Sequence, residues 1–367
     1  MIRRASQAVL KGALRQVARL PLTRRAMHRL SVAARGPSVV FLRCRRLLPD
    51  TAAGRAHPDH LAGFAMTPAE LEEALRDCQR TLRFIHLAEG LSQLSRGRRI
   101  DEGAAVLTFD ESFAATAELA LPVLRRLGVP CVFFVSTGHM GGTGTLWDQQ
   151  VHSIVEALAP QPLSLSWVDQ VLKTDSRSAR AASVRRLLML LASLDEERLD
   201  KRLEELEARV PGGVSPHPLD RMLTTSELAR IARDSLVSVG AHGHRHLALA
   251  SVTERAREEE LARPRELLRE LCGSAYLDVV SYPFGRPPYV NDEVVAHARR
   301  VGYRAGFGAE TGVARPGDNL FRLPRLAMGP GIRSVDAYEL QGMSEAVDEL
   351  LLVATGSETR LAMDFEG

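Results

Sequence analysis

The chain has 367 residues, 45% of them apolar and 25% charged, with a formal net charge of +3. That composition excludes a disordered or collagen-like chain and a small scaffold that needs disulfides or a metal to fold; it allows one large α/β domain or two small ones. The net charge conceals an asymmetry: residues 1–49 carry twelve Lys and Arg and no Asp or Glu, leaving 36 basic against all 45 acidic residues beyond them. The basic character therefore belongs to an N-terminal arm and argues for no nucleic-acid partner.

No run of about 18 or more apolar residues occurs, so no membrane-spanning helix is expected. Met1-Ile2-Arg3-Arg4 looks like the charged start of a signal peptide, but Lys11, Arg15 and Arg19 break the apolar stretch that should follow. A cleavable leader is not expected, and the protein is expected in the cytoplasm or at the inner face of the membrane. Cys44, Cys78, Cys131 and Cys272 form no CxxC pair, which suits a reducing compartment.

Residues 1–36 form the basic arm. Within it Val9, Leu10, Leu14, Val17 and Leu20 recur at helical spacing, with the basic residues on other faces. Two roles stay open: contact of residues 1–35 with an anionic membrane surface, or packing on the body with a solvated basic face.

The body is expected over residues 37–330, with a C-terminal helix and tail over 331–367. Residues 38–42 read as a buried strand. Thr67-Pro68-Ala69-Glu70 is a helix start, with Thr67 as N-cap, Pro68 at the first helical position and Glu70 as the capping-box partner; the helix is predicted to reach about residue 81. Residues 104–109 read as a second buried strand, and a helix over 113–127 stops at Gly128. A third strand covers 131–136. Residues 147–212 read as a mostly helical insertion whose charged stretch, 195–202, is a solvated face. A short helix begins at Thr224, and a strand over 236–240 leads into His242. Then come a helix over 252–271, a strand over 278–282, a helix over 292–300 and a strand over 303–307. This alternation predicts a parallel, wound α/β architecture whose site lies beyond the C-terminal ends of the strands.

Three clusters fall at such strand ends. Asp110 and Glu111, in Thr108-Phe109-Asp110-Glu111-Ser112, are adjacent carboxylates that need a cation, a proton or hydrogen bonds to be buried. His242, His244 and His246 fall within five residues, and the first and last could converge on one cation around Gly243. Tyr282-Pro283-Phe284-Gly285 is a rigid turn. One carboxylate with two imidazoles leaves an open position, the layout of a catalytic metal; a second carboxylate beside it can act as base on an amide or ester.

With these motifs the chain resembles the polysaccharide deacetylases, the NodB-homology group also called carbohydrate esterase family four. Thr108–Ser112 matches the family's Thr-Phe-Asp-Asp-Gly, His242-Gly243-His244-Arg245-His246 its His-x-x-x-His, and Tyr282–Gly285 its Tyr-Pro-x-Gly. The resemblance runs in the same order over roughly residues 37–327. It implies an α/β fold, a deformed (β/α) barrel, and a divalent metal, with zinc the first choice and other first-row metals open. It also implies that Asp110 is the general base and that Glu111, His242 and His246 are the ligands. Tyr282, Pro283, Phe284 and Gly285 would lie against the substrate carbonyl, where a backbone N–H meets the oxyanion. The implied activity removes N-acetyl, or alternatively O-acetyl, groups from a polysaccharide or glycolipid. The alternative is a catalytically impaired relative that binds glycan or serves as a scaffold. This chain departs from the family pattern at Glu111 (Asp in the family), Ser112 (Gly), Ser281 (Arg) and Arg43-Cys44-Arg45 (a His near the strand tip). No late Leu-x-His motif is present, and His244 is the candidate substitute for its acid.

Overall fold

The computed structural model describes residues 38–61, 64–96, 103–141 and 144–329. The amphipathic arm and the C-terminal helix and tail lie outside the described residues. Among the described residues ten strands occur in chain order: β1 (Val39–Cys44), β2 (Arg46–Leu47), β3 (Ala65–Met66), β4 (Arg83–Phe84), β5 (Ala104–Phe109), β6 (Cys131–Val135), β7 (Val237–Ala241), β8 (Tyr276–Ser281), β9 (Ala305–Phe307) and β10 (Leu326–Met328). Seven form one sheet in the order β10-β1-β5-β6-β7-β8-β9, with β4 beside the first residues of β5 and every strand pairing parallel; β2 and β3 pair separately.

Every position of β5 and of β6 is buried, as an apolar run covered on both faces requires. Alternate side chains serve two cores. Leu42, Leu107, Phe109, Phe133 and Val239 pack with the helices Pro68–Cys78 and Ala114–Leu127. Phe41, Val106, Val132, Phe134 and Phe307 form the other core. There Phe307 of β9 lies 5.0 Å from Phe41 of β1 and 5.3 Å from Phe134 of β6, centroid to centroid. Strands that are not neighbours in the sheet meet through these rings, so the sheet curls into a half-barrel. A parallel bridge from Phe307 to Leu323, just before β10, draws its two edges together. Burying each ring contributes about 1.5–3 kcal/mol.

The local signals act as read. Thr67 and Glu70 form the reciprocal capping box with Pro68 in the first turn, and Thr224 with Glu227 forms a second one. Helix Ala114–Leu127 stops because Gly128 adopts φ +63°, the left-handed conformation that glycine takes without a Cβ clash. The first of these helices ends at Cys78 rather than near residue 81, and β8 starts at Tyr276 and ends at Ser281, so Tyr282 lies beyond it.

Between β6 and β7 stand the helices Trp147–Ala157, Arg177–Leu191 and Glu196–Glu207. They enclose a core of their own, with Val151, Ile154, Leu187, Leu191, Leu203 and Leu206. Leu247 and Ala248, from the loop after β7, belong to that core. The inserted helices are thereby fastened to the histidine loop. Among the described residues no helix is long and apolar enough to cross a membrane. All four cysteines are free and buried.

Candidate active site

Parallel strands deliver the three clusters to one end of the sheet. Asp110 and Glu111 follow β5, His242–His246 follows β7, and Tyr282–Gly285 follows β8. Glu111, His242 and His246 are buried and offer donor atoms that all lie within 4.8 Å of one another. Among the described residues the non-glycine positions with positive φ are Glu111 (71°), Ser112 (61°), His246 (63°) and Phe284 (63°). All four belong to these motifs. Backbone strain of this kind, of order 1–3 kcal/mol each, persists where the surroundings over-determine a site.

The two imidazoles are held differently. His242 Nδ1 lies 2.7 Å from the carbonyl oxygen of Ser281, which can only accept, so Nδ1 carries the proton and Nε2 keeps its lone pair. Burial pushes His242 down to about 3, which keeps it neutral. His246 Nδ1 lies 3.5 Å from Asp148 Oδ1, and its Nε2 4.0 Å from Glu111 Oε1. His246 Nδ1 and Asp148 Oδ1 are buried without a formal hydrogen bond. Burial alone would lower His246, but the charges of Asp148 and Glu111 override it and raise the imidazole. Burial, with Asp148 adding to it, pushes Glu111 up despite the opposing Arg45. An incompletely satisfied, carboxylate-rich cluster with a neutral imidazole fits a divalent cation.

Asp110 is held differently. Arg325, just before β10, grips both its oxygens at 2.8 and 2.9 Å. The same guanidinium donates to Ser281 Oγ at 2.9 Å and to the Gly308 carbonyl through Nε at 2.9 Å. Burial favours the protonated carboxyl, but the Arg325 charge overrides it and holds Asp110 well below the usual carboxylate range. Asp110 is thus an ionised, oriented acceptor.

The histidine loop is pinned from two sides. Glu260, buried on the helix Glu254–Cys272, accepts from the backbone N–H groups of Arg245 at 2.7 Å, His244 at 3.1 Å and Leu247 at 3.2 Å. Gly243 has φ +74°, and a Cβ there would stand 2.7 Å from that carboxylate. From the inserted helices, Trp147 Nε1 donates to the His246 carbonyl at 2.9 Å. His244 does not join the ligand cluster: its Nδ1 meets Thr137 Oγ1 at 2.9 Å, and its charged neighbours are Arg263, Glu259, His139 and Arg245. Tyr282 is 1% exposed, so its side chain belongs to the core. In its turn the N–H groups of Tyr282 and Gly285 donate to the Phe307 and Pro283 carbonyls at 3.0 and 2.8 Å.

A second cluster, His57, His217 and Asp220, also has closely spaced donor atoms. It is a structural network. Nδ1 of each imidazole accepts a backbone N–H, His57 from Asp59 at 3.1 Å and His217 from Leu219 at 3.2 Å, which puts both ring protons on Nε2. Asp220 is already taken by Arg46 at 2.5 Å and His57 at 3.0 Å.

The family model "Polysaccharide deacetylase" matches residues 201–306, a segment that holds both the histidine motif and the Tyr-Pro-Phe-Gly turn. Over that segment the chain is similar to the polysaccharide deacetylases. YxkH of Bacillus subtilis (strain 168), named as a candidate polysaccharide deacetylase, is 27% identical over 110 residues, 30% of this chain and 38% of that relative. The match therefore spans well under half of the curated relative's length. Among solved structures, the Streptococcus pyogenes deacetylase PplD in complex with acetate superposes with a TM-score of 0.52 at 16% identity, covering 84% of this chain and 99% of PplD. IcaB from Ammonifex degensii gives a TM-score of 0.51 at 18% identity, covering 83% and 98%. These likenesses establish the deformed (β/α) barrel of the deacetylases.

Two departures from the deacetylase motifs acquire physical reasons. Ser112 sits at φ +61°, where the family's glycine would be at ease; its Oγ donates to the Phe134 carbonyl at 3.2 Å, an offsetting bond that glycine lacks. Ser281 stands where the family has arginine, and Arg325 reaches Asp110 from just before β10 and bonds Ser281. Sequence reasoning assigned no role to Arg325, Asp148 or Glu260. A signal existed for Glu260: with Arg257, Leu261, Pro264 and Leu268 it lies on the buried stripe of its helix. Asp148 sits in the first turn of a helix, where an acidic residue is ordinary, so nothing marked it out.

Proposed function

We propose that the protein hydrolyses the acetamido bond of an N-acetylated sugar in a polysaccharide or glycolipid, using a divalent metal held by Glu111, His242 and His246. The observation that carries this reading is the pairing, at one sheet end, of that three-donor cluster with an Asp110 kept ionised by Arg325. When bound, the metal would polarise the acetyl carbonyl and acidify water. Asp110 accepts the proton of the attacking water on a lone pair that Arg325 leaves free. The new C–O bond forms, a backbone N–H of the Tyr282–Gly285 turn faces the developing oxyanion, and the C–N bond breaks. Asp110 returns the proton to the departing nitrogen, releasing acetate and a free amine. This single carboxyl shuttle suits a site in which His244 stands apart at Thr137.

The same separation favours a second reading, a glycan-binding relative without turnover. Acetate release from N-acetylglucosamine oligomers, with zinc supplied, tests both. Release that is lost in Asp110→Asn supports hydrolysis, whereas oligomer binding without release supports the second reading.

A further inference from the structure

Arg45 is a charged side chain at the site that the hydrolytic reading leaves without a task. It follows β1 and lies among three carboxylates from three elements. Its Nε is 3.1 and 3.3 Å from the two oxygens of Glu111, Nη2 is 3.3 Å from Asp148, and Nη1 is 3.8 Å from Asp59. Charge-assisted bonds normally run about 2.7–2.9 Å. Two nearby guanidiniums meet that standard or better: Arg325 on Asp110 at 2.8 Å, and Arg46 on Asp59 at 2.7 Å and on Asp220 at 2.5 Å. Both of those side chains are buried, whereas that of Arg45 keeps 25% of its surface in solvent. The Arg45 guanidinium carbon lies 5.3 Å from the ring centroid of Phe64, an exposed residue. Arg45 is therefore a partly exposed cation that three carboxylates share at longer range, with the Phe64 ring beside it.

Its nearest partner is also one of the three candidate ligands. A guanidinium has N–H donors and no lone pair to offer, so it cannot join a coordination shell. It can only occupy the carboxylate lone pairs that a metal would use. We propose that Arg45 competes with the divalent cation for Glu111: it holds the carboxylates together before the ion binds, and it sets how tightly the ion binds. The inference rests on the metal-site reading above. A bound ion would engage Glu111 and would place two positive charges beside the guanidinium. Repulsion at this range, even at a protein's effective dielectric, is enough to weaken binding by about tenfold or more.

The test is Zn²⁺ affinity of the full chain, read by competition with a chromogenic chelator at fixed salt, after circular dichroism has confirmed folding. Arg45→Gln should bind Zn²⁺ at least about tenfold more tightly than wild type, and Arg45→Lys, which retains the charge, should stay near wild type. Stripped of metal, Arg45→Gln should melt below wild type and gain more from added Zn²⁺. Should Arg45→Gln fail to fold, Arg45→Met keeps the aliphatic stem and carries the same comparison. If removing the charge leaves affinity equal or lower while His242→Ala abolishes binding, the Arg45 proposal falls and the metal site stands. If His242→Ala binds Zn²⁺ as wild type does, the metal site itself is wrong.

Discussion

Removing Arg325 while keeping Asp110 should show how the candidate base is sustained. Asp110 is 4% and Arg325 3% exposed, and two charge-assisted bonds of 2.8 and 2.9 Å join them. Arg325→Met leaves the carboxylate buried without its counter-ion, which costs about 3–5 kcal/mol for a broken buried pair. The lost bonds to Gly308 and Ser281 place the expectation at the upper end of that range. The pH dependence has a definite sign. In wild type the folded-state pKa of Asp110 lies below the usual value. The pair therefore contributes stability that is present above an unfolded pKa of about 3.9 and is lost as pH falls toward the folded value. In Arg325→Met, burial without the guanidinium raises the carboxyl, so the variant takes up a proton at milder acidity. Its deficit relative to wild type should be greatest at pH 8 and shrink by pH 5. Urea denaturation of chelator-treated wild type, Arg325→Met, Asp110→Asn and the double variant at both pH values measures this. The cycle should show a coupling of at least about 2 kcal/mol at pH 8, in the range found for residues sharing one network. Single-variant costs that add to within about 0.5 kcal/mol, or a deficit that does not change with pH, would refute the reasoning.

Ser112→Gly relieves the positive φ but loses the bond to Phe134, so its stability should lie within about 1 kcal/mol of wild type, whereas Ser112→Ala keeps the strain, loses the bond and should cost about 1 kcal/mol more than the glycine variant. Calorimetric melts of the pair decide it, and equal Tm values for the two would contradict the account. Glu260→Gln turns an amide NH₂ against backbone donors that need an acceptor; it should cost about 2–3 kcal/mol and weaken Zn²⁺ binding through the misplaced histidine loop. Denaturant melts and metal titration check it, and unchanged metal affinity would show that the loop holds without Glu260. Deleting residues 1–35 should abolish weak, salt-sensitive co-sedimentation with anionic lipid vesicles; binding that persists after the deletion, or is absent from the full chain, speaks for a packing role of the arm.

The sequence by itself determined the parallel α/β alternation, the long strands β1, β5 and β6, the capping box at Thr67, the helix start at Thr224, and the helix stop at Gly128. Each is written locally, in an apolar run or in residues a turn apart. It also nominated Glu111, His242 and His246, because two short contiguous motifs carry them. The strands β2, β3, β4 and β10, two or three residues each, are too short to show a period and become strands only by pairing. The rest of the site was decided by tertiary structure. Arg325 meets Asp110 across 215 residues, Arg45 meets Asp148 across 103, and His242 takes its tautomer from a carbonyl 39 residues away. Periodicity reports which face of an element is buried, and a buried charge's partner is set by where the chain returns in space. Which carboxylate is ionised, which imidazole keeps a lone pair and which arginine guards the cluster are therefore properties of the folded sheet end, where low dielectric and fixed distances decide among the charges the sequence supplies.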